Sequence, residues 1–384
     1  MIRKFLRKFS SLLLKIHLYI DRNYKEKTNF APYILKQGPA GSHTKIVHIN
    51  GNFVIGGSTQ LIVDIIERTS GKYSHLVVVP AHPDPLPYQP VSIYRFAIGE
   101  LTGLYEFLKE QRPALVHIQY WVREMHRYRD FSLWYTGVFR MCEELDLKVI
   151  QNINVPTHPY KSPAVVHNVF VSNYVMDNFN DSAVKASVIY PGSDLSHFSH
   201  NNHTQSASGI GMVYRLDTDK LDKDAIEIFI TAVKKKPGLK CYIIGGGYYF
   251  NYYKKRVKEE GLSSQFQFPG YVSYDSLPGY YKKMAIVVAP VHDESFGQVT
   301  PFAMSMGLCI AGYDTGALPE ILGYKDTLVR YGNIEELADK IIDLVNNEEK
   351  RLQLGQINRH RAQEKFSVEK MITEYEKLYE MYTG

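Results

Sequence analysis

The stretch "KIVHINGNFVIGGSTQLIVDIIERTSG", Lys45 to Gly71, decides the fold. Lys45 to Asn50 is a short apolar run of strand length, and Leu61, Ile62, Ile65 and Ile66 then recur at helical spacing. Strand, glycine loop and helix in that order open a βαβ unit. Further strands are predicted at His75–Val79, Ala114–Ile118, Lys148–Ile153 and His167–Ser172, with helical segments between several of them. This pattern calls for a mostly parallel sheet covered by helices. A polar stretch, "SHNNHTQSASG" (Ser199–Gly209), reads as an interdomain linker, after which the alternation restarts. "GIGMVYRL", a helix from about Asp222 to Lys236, "KCYIIGGG", a helix near Tyr252 to Glu260, "AIVVAP", a helix following Gly297 and "LCIAGY" make a second α/β domain. The expected architecture is two Rossmann-like domains, 44–200 and 209–366, with a ligand held in a cleft between the carboxyl ends of their sheets.

The length of 384 residues suits two domains of roughly 150 to 200 residues each. With 45% hydrophobic and 22% charged residues, 29 tyrosines and 18 phenylalanines, the composition excludes a disordered chain. Cys142, Cys241 and Cys309 are odd in number, far apart and set in apolar surroundings, which predicts buried thiols in a reducing compartment and neither disulfides nor a metal cluster. The formal charge of +5 is concentrated in residues 1–28, where Arg3, Lys4, Arg7, Lys8, Lys15, Arg22, Lys25 and Lys27 oppose only Asp21 and Glu26. No basic patch motif marks the rest of the chain, so nucleic acid is not an expected partner. Within the arm, Ile2, Phe5, Leu6, Phe9, Leu12, Leu13, Ile16 and Ile20 share one helical face and most of the cations another. Such a helix suits an anionic membrane surface, which predicts a cytoplasmic protein attached peripherally to the inner face; a helix packed on the body is the alternative. Lys15 and His17 interrupt any spanning run, and the segment lacks a small-residue cleavage site.

Four motifs carry candidate chemistry. Gly56-Gly57 lies between the first strand and helix, where backbone approaches an anion, although a plain turn needs the same residues. "YIIGGGYYF" (Tyr242–Phe250) has the look of a dinucleotide fingerprint but stands at the second strand of its domain and lacks the third glycine at the right offset, which argues against hydride transfer. "YRLDTDK" sets Arg215 and Lys220 about a loop just after a strand, the arrangement a diphosphate needs, or else a pair of solvated charges. In "APVHDESFGQVTPFAMSMG" (Ala289–Gly307), Glu294 can accept from hydroxyls, Gly297 allows close approach, and a helix follows whose first amides favour anions. A sugar joined to a phosphate fits that mixture.

In this order and spacing the motifs resemble glycosyltransferase family 4, retaining nucleotide-sugar enzymes of GT-B fold. The resemblance covers most of the chain after the arm. It is carried by "GGSTQLIVDII", "VIYPGSDLSHF" (Val188–Phe198), "YRLDTDK", "FPGYVSYDSLPGYYKKMAIVVAPVHDESFG" and "AMSMGLCIAGYDTGALPEIL", with "FSVEKMITEYEKLYEMY" similar to a C-terminal helix, about 367–384, that packs back on the first domain. The resemblance implies that Arg215 and Lys220 hold the donor diphosphate and that Glu294 binds donor-sugar hydroxyls. Ser295, Phe296, Gly297 and Gln298 would line the donor pocket, and Gly56 and Gly57 would approach the phosphate from the other domain. It implies no metal and no cofactor beyond the nucleotide sugar; the amphipathic arm, by location, suggests a glycan or lipid-linked acceptor at the cytoplasmic membrane face.

Two departures stand out. Where the family has a second glutamate that contacts the ribose, this chain has Phe302; Gln298, one turn earlier, is the expected substitute. Where many members have a histidine facing the sugar, this chain has Asn154, with His158 four residues on, either reaching the site or lying on the surface. His117 reads as a strand-end histidine satisfied by backbone. These departures keep open a non-catalytic GT-B scaffold; a sugar-nucleotide epimerase fits the region around Glu294 less well.

Overall fold

The computed structural model describes residues 12–15, 18, 33–34, 43–53, 56–81, 93–122, 129–199 and 209–384. The chain forms two compact units, one of residues 1–189 and 371–384 and the other of residues 190–370.

In the first unit the described strands are β1 (Tyr33–Ile34), β2 (Thr44–Asn50), β3 (Tyr73–Val79), β4 (Ile93–Arg95), β5 (Leu115–Tyr120), β6 (Val149–Ile153), β7 (Val165–Phe170) and β8 (Ala186–Val188). They form one sheet in the order β1-β4-β3-β2-β5-β6-β7-β8, parallel throughout except where β1 meets β4. Every residue of β5 and β6 is buried, as a sheet covered on both faces requires. The helix Gly57–Thr69 follows β2 and buries Leu61, Ile62, Ile65 and Ile66, the residues whose spacing predicted it.

The second unit contains β9 (Gly209–Val213), β10 (Cys241–Ile244), β11 (Phe266–Gly270), β12 (Met284–Ala289), β13 (Cys309–Tyr313) and β14 (Leu328–Val329). They form an all-parallel sheet in the order β11-β10-β9-β12-β13-β14. That order is the doubly wound 3-2-1-4-5-6 arrangement. Helices Ala225–Lys235 and Ile334–Asn346 lay apolar faces on the unit, burying Ile226, Phe229, Val233, Leu337 and Ile341. All three cysteines are buried and free, and burial pushes the Cys309 thiol up to about 12.

Several sequence expectations shift. The short strands β1, β4, β8, β11 and β14 were not predicted, because two to five residues, one set reading "FQFPG", carry too little periodicity to register. The division between units falls at Ile189, ahead of the expected linker, whose residues 200–208 lie outside the described ones. Tyr190–Phe198 belongs to the second unit because Ser193 N–H donates to the Phe366 carbonyl at 2.9 Å, Val368 N–H donates to the Ser193 carbonyl at 3.1 Å, and the Phe198 ring stacks on Phe302. Of the basic arm only residues 12–15 and 18 are described, all helical. There Leu14 is buried, and the Leu13 carbonyl accepts from Arg140 Nη1 at 3.3 Å, so this turn packs on the first unit. No helix among the described residues is long and apolar enough to cross a membrane.

The C-terminal helix Val368–Thr383 brings Tyr375 and Tyr379, both fully buried, onto the first unit's sheet over a group of buried histidines. His48 on β2, His75 on β3 and His117 on β5 lie side by side, with His48 centred 5.1 Å from His75 and 5.4 Å from His117. Thr69 Oγ1 donates to the Ile65 carbonyl at 2.6 Å, so His75 Nε2 must carry a proton to meet that hydroxyl at 2.8 Å. Its Nδ1 then accepts from His48 Nε2 at 3.0 Å, and His48 Nδ1 is left buried without a partner among the described residues. Protonation there would place a charge where nothing answers it. Contrary to expectation, His117 is satisfied by side chains, Tyr379 and Gln119, and not by backbone.

Burial lowers all three rings, His75 to about 4, His117 to about 3 and His48 well below the ordinary value. In the unfolded chain each ring takes up a proton below about pH 6.5, whereas the fold resists it until pH nears the lowered values. The stability they contribute is therefore full above pH 6.5 and declines as pH falls through that window. Urea unfolding should show a loss of roughly 2 kcal/mol per ring between pH 7.5 and pH 5, and His75→Gln should flatten part of the slope.

Candidate functional site

In a doubly wound sheet, the strands on either side of the order reversal send their loops apart and leave space at their carboxyl ends. In the second unit those strands are β9 and β12. The loop after β9 carries Arg215 and Lys220, and the loop after β12 carries Glu294 to Gln298.

The two loops are laced together. Leu221 pairs with Val291 as an antiparallel bridge, His292 N–H donates to the Lys220 carbonyl at 3.3 Å, and His292 Nε2 donates to the Thr218 carbonyl at 3.1 Å. Thr315 Oγ1 donates to the His292 carbonyl at 2.9 Å, which adds the loop after β13. This lacing brings Lys220 Nζ to 2.7 Å from Glu294 Oε1. Glu294 is 2% exposed and Lys220 is 22% exposed, so a buried carboxylate is met by an ammonium that still reaches solvent. A buried charge is tolerated when it is paired in this way.

Backbone packing fixes Glu294 further. Its carbonyl accepts from Ala317 N–H at 2.7 Å. Gly297 has φ +70°, and a Cβ there would lie 2.7 Å from the Glu294 carboxyl carbon; Gly316 has φ +56°, and a Cβ would lie 2.4 Å from the Glu294 carbonyl oxygen. Both positions therefore require glycine on two counts, handedness and space. Burial, followed by the Glu294 charge, raises the buried Tyr214 phenol well above its ordinary value.

Arg215 takes different partners from Lys220. It donates to Asp219 at 2.7 Å, lies 3.6 Å from Asp217, and is half exposed. Burial works against ionisation of Asp219, but Arg215 and then Lys220 hold its carboxyl below the usual range. The two cations thus flank one loop, each with its own carboxylate. The Gly245–Gly247 turn serves this loop and forms no dinucleotide fingerprint: Leu216 N–H donates to the Gly246 carbonyl at 2.9 Å, and Tyr248 N–H donates to Asp217 Oδ1 at 2.7 Å.

Ser295 is buried, and the Phe296 ring turns inward, 5.8 Å from Tyr190 and 5.4 Å from Phe366. Gln298 stands just before the helix Val299–Ser305 without a side-chain bond to its first turn, and its Nε2 donates to the Gly192 carbonyl at 3.3 Å. Phe302 lies face to face with Phe198, with centroids 4.1 Å apart and planes 6° apart, and edge-on to Tyr274 at 5.7 Å. An apolar stack therefore fills the position where a carboxylate was expected.

The first unit holds the other predicted residues. Gly56 and Gly57 are exposed at the start of the helix Gly57–Thr69; Gly56 has φ 173°, extended backbone that any residue adopts. Asn154 follows β6 and is held between Asn152 and Gln119 at 2.7 and 2.9 Å. His158 is an exposed surface histidine that donates through Nδ1 to the Phe179 carbonyl at 3.0 Å and lies 3.7 Å from Asp181. Reading the sequence missed His292, on the same loop as Glu294, and Thr315 and Gly316 on the loop after β13, which together align Glu294. Only "DTGALPE", with its turn residues, signalled a tight loop there.

Two doubly wound units in one chain define the GT-B class, and solved GT-B structures superpose on this one. Anabaena HepE in complex with UDP-glucose aligns with a TM-score of 0.73 at 15% identity, covering 88% of this chain and 100% of that one. Residues 197–361, most of the second unit, match the family model described as glycosyl transferases group 1. An uncharacterized glycosyltransferase of Methanocaldococcus jannaschii is 31% identical over 157 residues, 40% of this chain and 44% of that one. The capsular polysaccharide biosynthesis glycosyltransferase CapM of Staphylococcus aureus is 29% identical over 178 residues, 45% of this chain and 46% of that one. The chain thus spans less than half the length of these curated relatives.

If the glycines hold Glu294 as described, Gly297→Ala and Gly316→Ala should each destabilise the protein by about 1–3 kcal/mol in urea unfolding. Gly332→Ala, where φ is also positive but nothing lies near the added carbon, should cost less.

Proposed function

We propose that the protein is a glycosyltransferase that moves a sugar from a nucleoside diphosphate donor to an acceptor hydroxyl with retention at the anomeric carbon and without a metal. The observation that carries this reading is the Lys220–Glu294 pair, 2.7 Å apart where β9 and β12 diverge, in a unit most of which matches the group 1 model. Lys220 and Arg215 neutralise the diphosphate as it departs, so their cations supply the stabilisation a divalent ion provides elsewhere. Glu294 accepts hydrogen bonds from donor-sugar hydroxyls, held rigid by Gly297 and Gly316. The departing phosphate oxygen takes the acceptor proton on the face it leaves, which returns the original configuration. Because that charge develops only as the bond breaks, the cations favour the transition state over the ground state. Ser295, Gln298 and the backbone at Phe296 and Gly297 border the donor. HepE is solved with UDP-glucose and CapM belongs to capsular polysaccharide biosynthesis, which supports a sugar nucleotide as donor and a glycan or lipid-linked molecule as acceptor.

Calorimetry of the full chain against uridine, guanosine, adenosine and thymidine diphosphates and their sugar conjugates, with chelator present, tests this. Micromolar binding of one nucleotide, lost in Lys220→Ala, is expected, together with a ten- to thousand-fold loss of turnover, on the order of one oxyanion donor removed. No binding across the panel would favour a non-catalytic scaffold closed by the Phe198–Phe302 stack.

Residues 1–28 would carry the protein to an anionic membrane surface at the cytoplasmic face. Deleting them should abolish cosedimentation with anionic vesicles; unchanged binding would refute the attachment.

A further inference from the structure

Three carboxylates stand about the two cations at the carboxyl end of β9, and they are held unequally. Glu294 is buried, and glycines lock its backbone. Asp217 accepts from Tyr248 N–H at 2.7 Å, and a Cβ at Gly247 would lie 2.6 Å from its Oδ1, so backbone closes on that carboxylate. Asp219 Oδ2 accepts from Arg215 Nη2 at 2.7 Å, and the guanidinium it meets is half exposed. An ion pair that water reaches is held weakly, because solvent screens it and both side chains lose freedom to make it. An anion arriving from solvent therefore competes with Asp219 for Arg215, whereas the Lys220 ammonium carries three donors and serves an anion without leaving Glu294.

Asp219 can turn aside but cannot leave. Lys220 N–H and Leu221 N–H both donate to the Asp217 carbonyl at 3.0 Å, the Thr218 carbonyl accepts from His292 Nε2 at 3.1 Å, and Leu221 bridges to Val291. The backbone on each side of Asp219 is thus pinned, and only its side chain is left to move. Burial works against its ionisation, but Arg215 and then Lys220 hold the carboxyl below the usual range, so its charge is present at neutral pH. Repulsion between that charge and a bound phosphate grows with the charge of the ligand. A diphosphate joined to both nucleoside and sugar carries two negative charges, one on each phosphate. When the sugar leaves, the departing oxygen takes the acceptor proton and, above about pH 6, gives it up to water, which leaves three charges.

We propose that Asp219 selects ligands by charge: it weakens the hold of Arg215 and Lys220 on the free nucleoside diphosphate more than on its sugar conjugate, so that product gives way to fresh donor. This rests on the glycosyltransferase reading given above, and it involves the second unit alone. Asp219 acts without touching the ligand, since one charge more or less on the terminal phosphate is felt across the loop.

Calorimetry at about pH 8, well above the second ionisation of a terminal phosphate, compares the full-length parent with Asp219→Asn, which keeps the shape and removes the charge. The ligands are inorganic pyrophosphate, the uridine, guanosine, adenosine and thymidine diphosphates, and their glucose conjugates, all with chelator present. In Asp219→Asn the conjugate that the parent binds should tighten about three- to ten-fold, and the matching free diphosphate by a further factor of about three to ten. Pyrophosphate, which has neither base nor sugar, should tighten in step with the free diphosphate. Asp219→Glu retains the charge and should keep the ratio of the two dissociation constants within about two-fold of the parent. Asp219→Ser carries the same expectation as Asp219→Asn should that variant fail to fold. If Asp219 served only to hold Arg215 in place, removing its charge would weaken every ligand. Weaker binding, an unchanged ratio, or the same shift in Asp219→Glu would overturn the proposal and leave the functional reading standing. Binding of none of these ligands by the parent or the variants would refute the functional reading, and the proposal with it.

Discussion

A carboxylate that is almost wholly buried in a loop needs a cation, a rigid backbone, or both, and Glu294 has both. The carboxyl edge of the second unit is organised about this need. Lys220 must be delivered from the loop after β9, which explains the bridge between Leu221 and Val291 and the two bonds that His292 makes to Thr218 and Lys220. Gly297 and Gly316 leave no room for a side chain between Glu294 and its own loop or the one after β13. The cost of desolvating the pair is limited because Lys220 keeps part of its surface in water. The same solvent-facing side lets the ammonium serve an anionic ligand.

The first unit meets a comparable demand with neutral groups. His48, His75, His117, Gln119 and Asn152 are buried on strands where a parallel sheet would ordinarily hold aliphatic side chains, and the C-terminal helix brings Tyr375 and Tyr379 onto them. Burial keeps the rings uncharged, and nearly every polar atom finds a partner, His48 Nδ1 being an exception. Such a network is worth keeping only if complete, since a half-satisfied one costs more than an apolar core. The C-terminal helix completes it, which gives a physical reason why Met371–Gly384 belongs to the first unit although the chain has already passed through the second.

Much of this was legible beforehand. The strand Lys45–Asn50 and the helical periodicity of Leu61, Ile62, Ile65 and Ile66 are legible in the sequence, because buried parallel strands are apolar along their whole length and the helix between them repeats its apolar face. Arg215, Lys220 and Glu294 were read from their places after strands, and two of the three meet. The residues that hold Glu294 in place are not legible in the sequence: His292 and Gly316 resemble ordinary loop residues until the loops are brought together. Phe302 stands where the resemblance implies a glutamate, and its stack with Phe198, 104 positions earlier, cannot be read from either position. His117 was assigned to backbone because its hydroxyl partner, Tyr379, lies at the far end of the chain.

The sequence by itself determined two α/β units, the strands at their centres, and the cations and carboxylate at the ends of β9 and β12, because periodicity and the position of a residue after a strand are local properties. Tertiary structure decided which cation answers which carboxylate, that the order of the second sheet reverses between β9 and β12, and that Tyr375 and Tyr379 of the C-terminal helix meet Asn152 and His117. Those outcomes depend on contacts between residues up to 262 positions apart, and a hydrogen bond has no signature until both of its ends are in place.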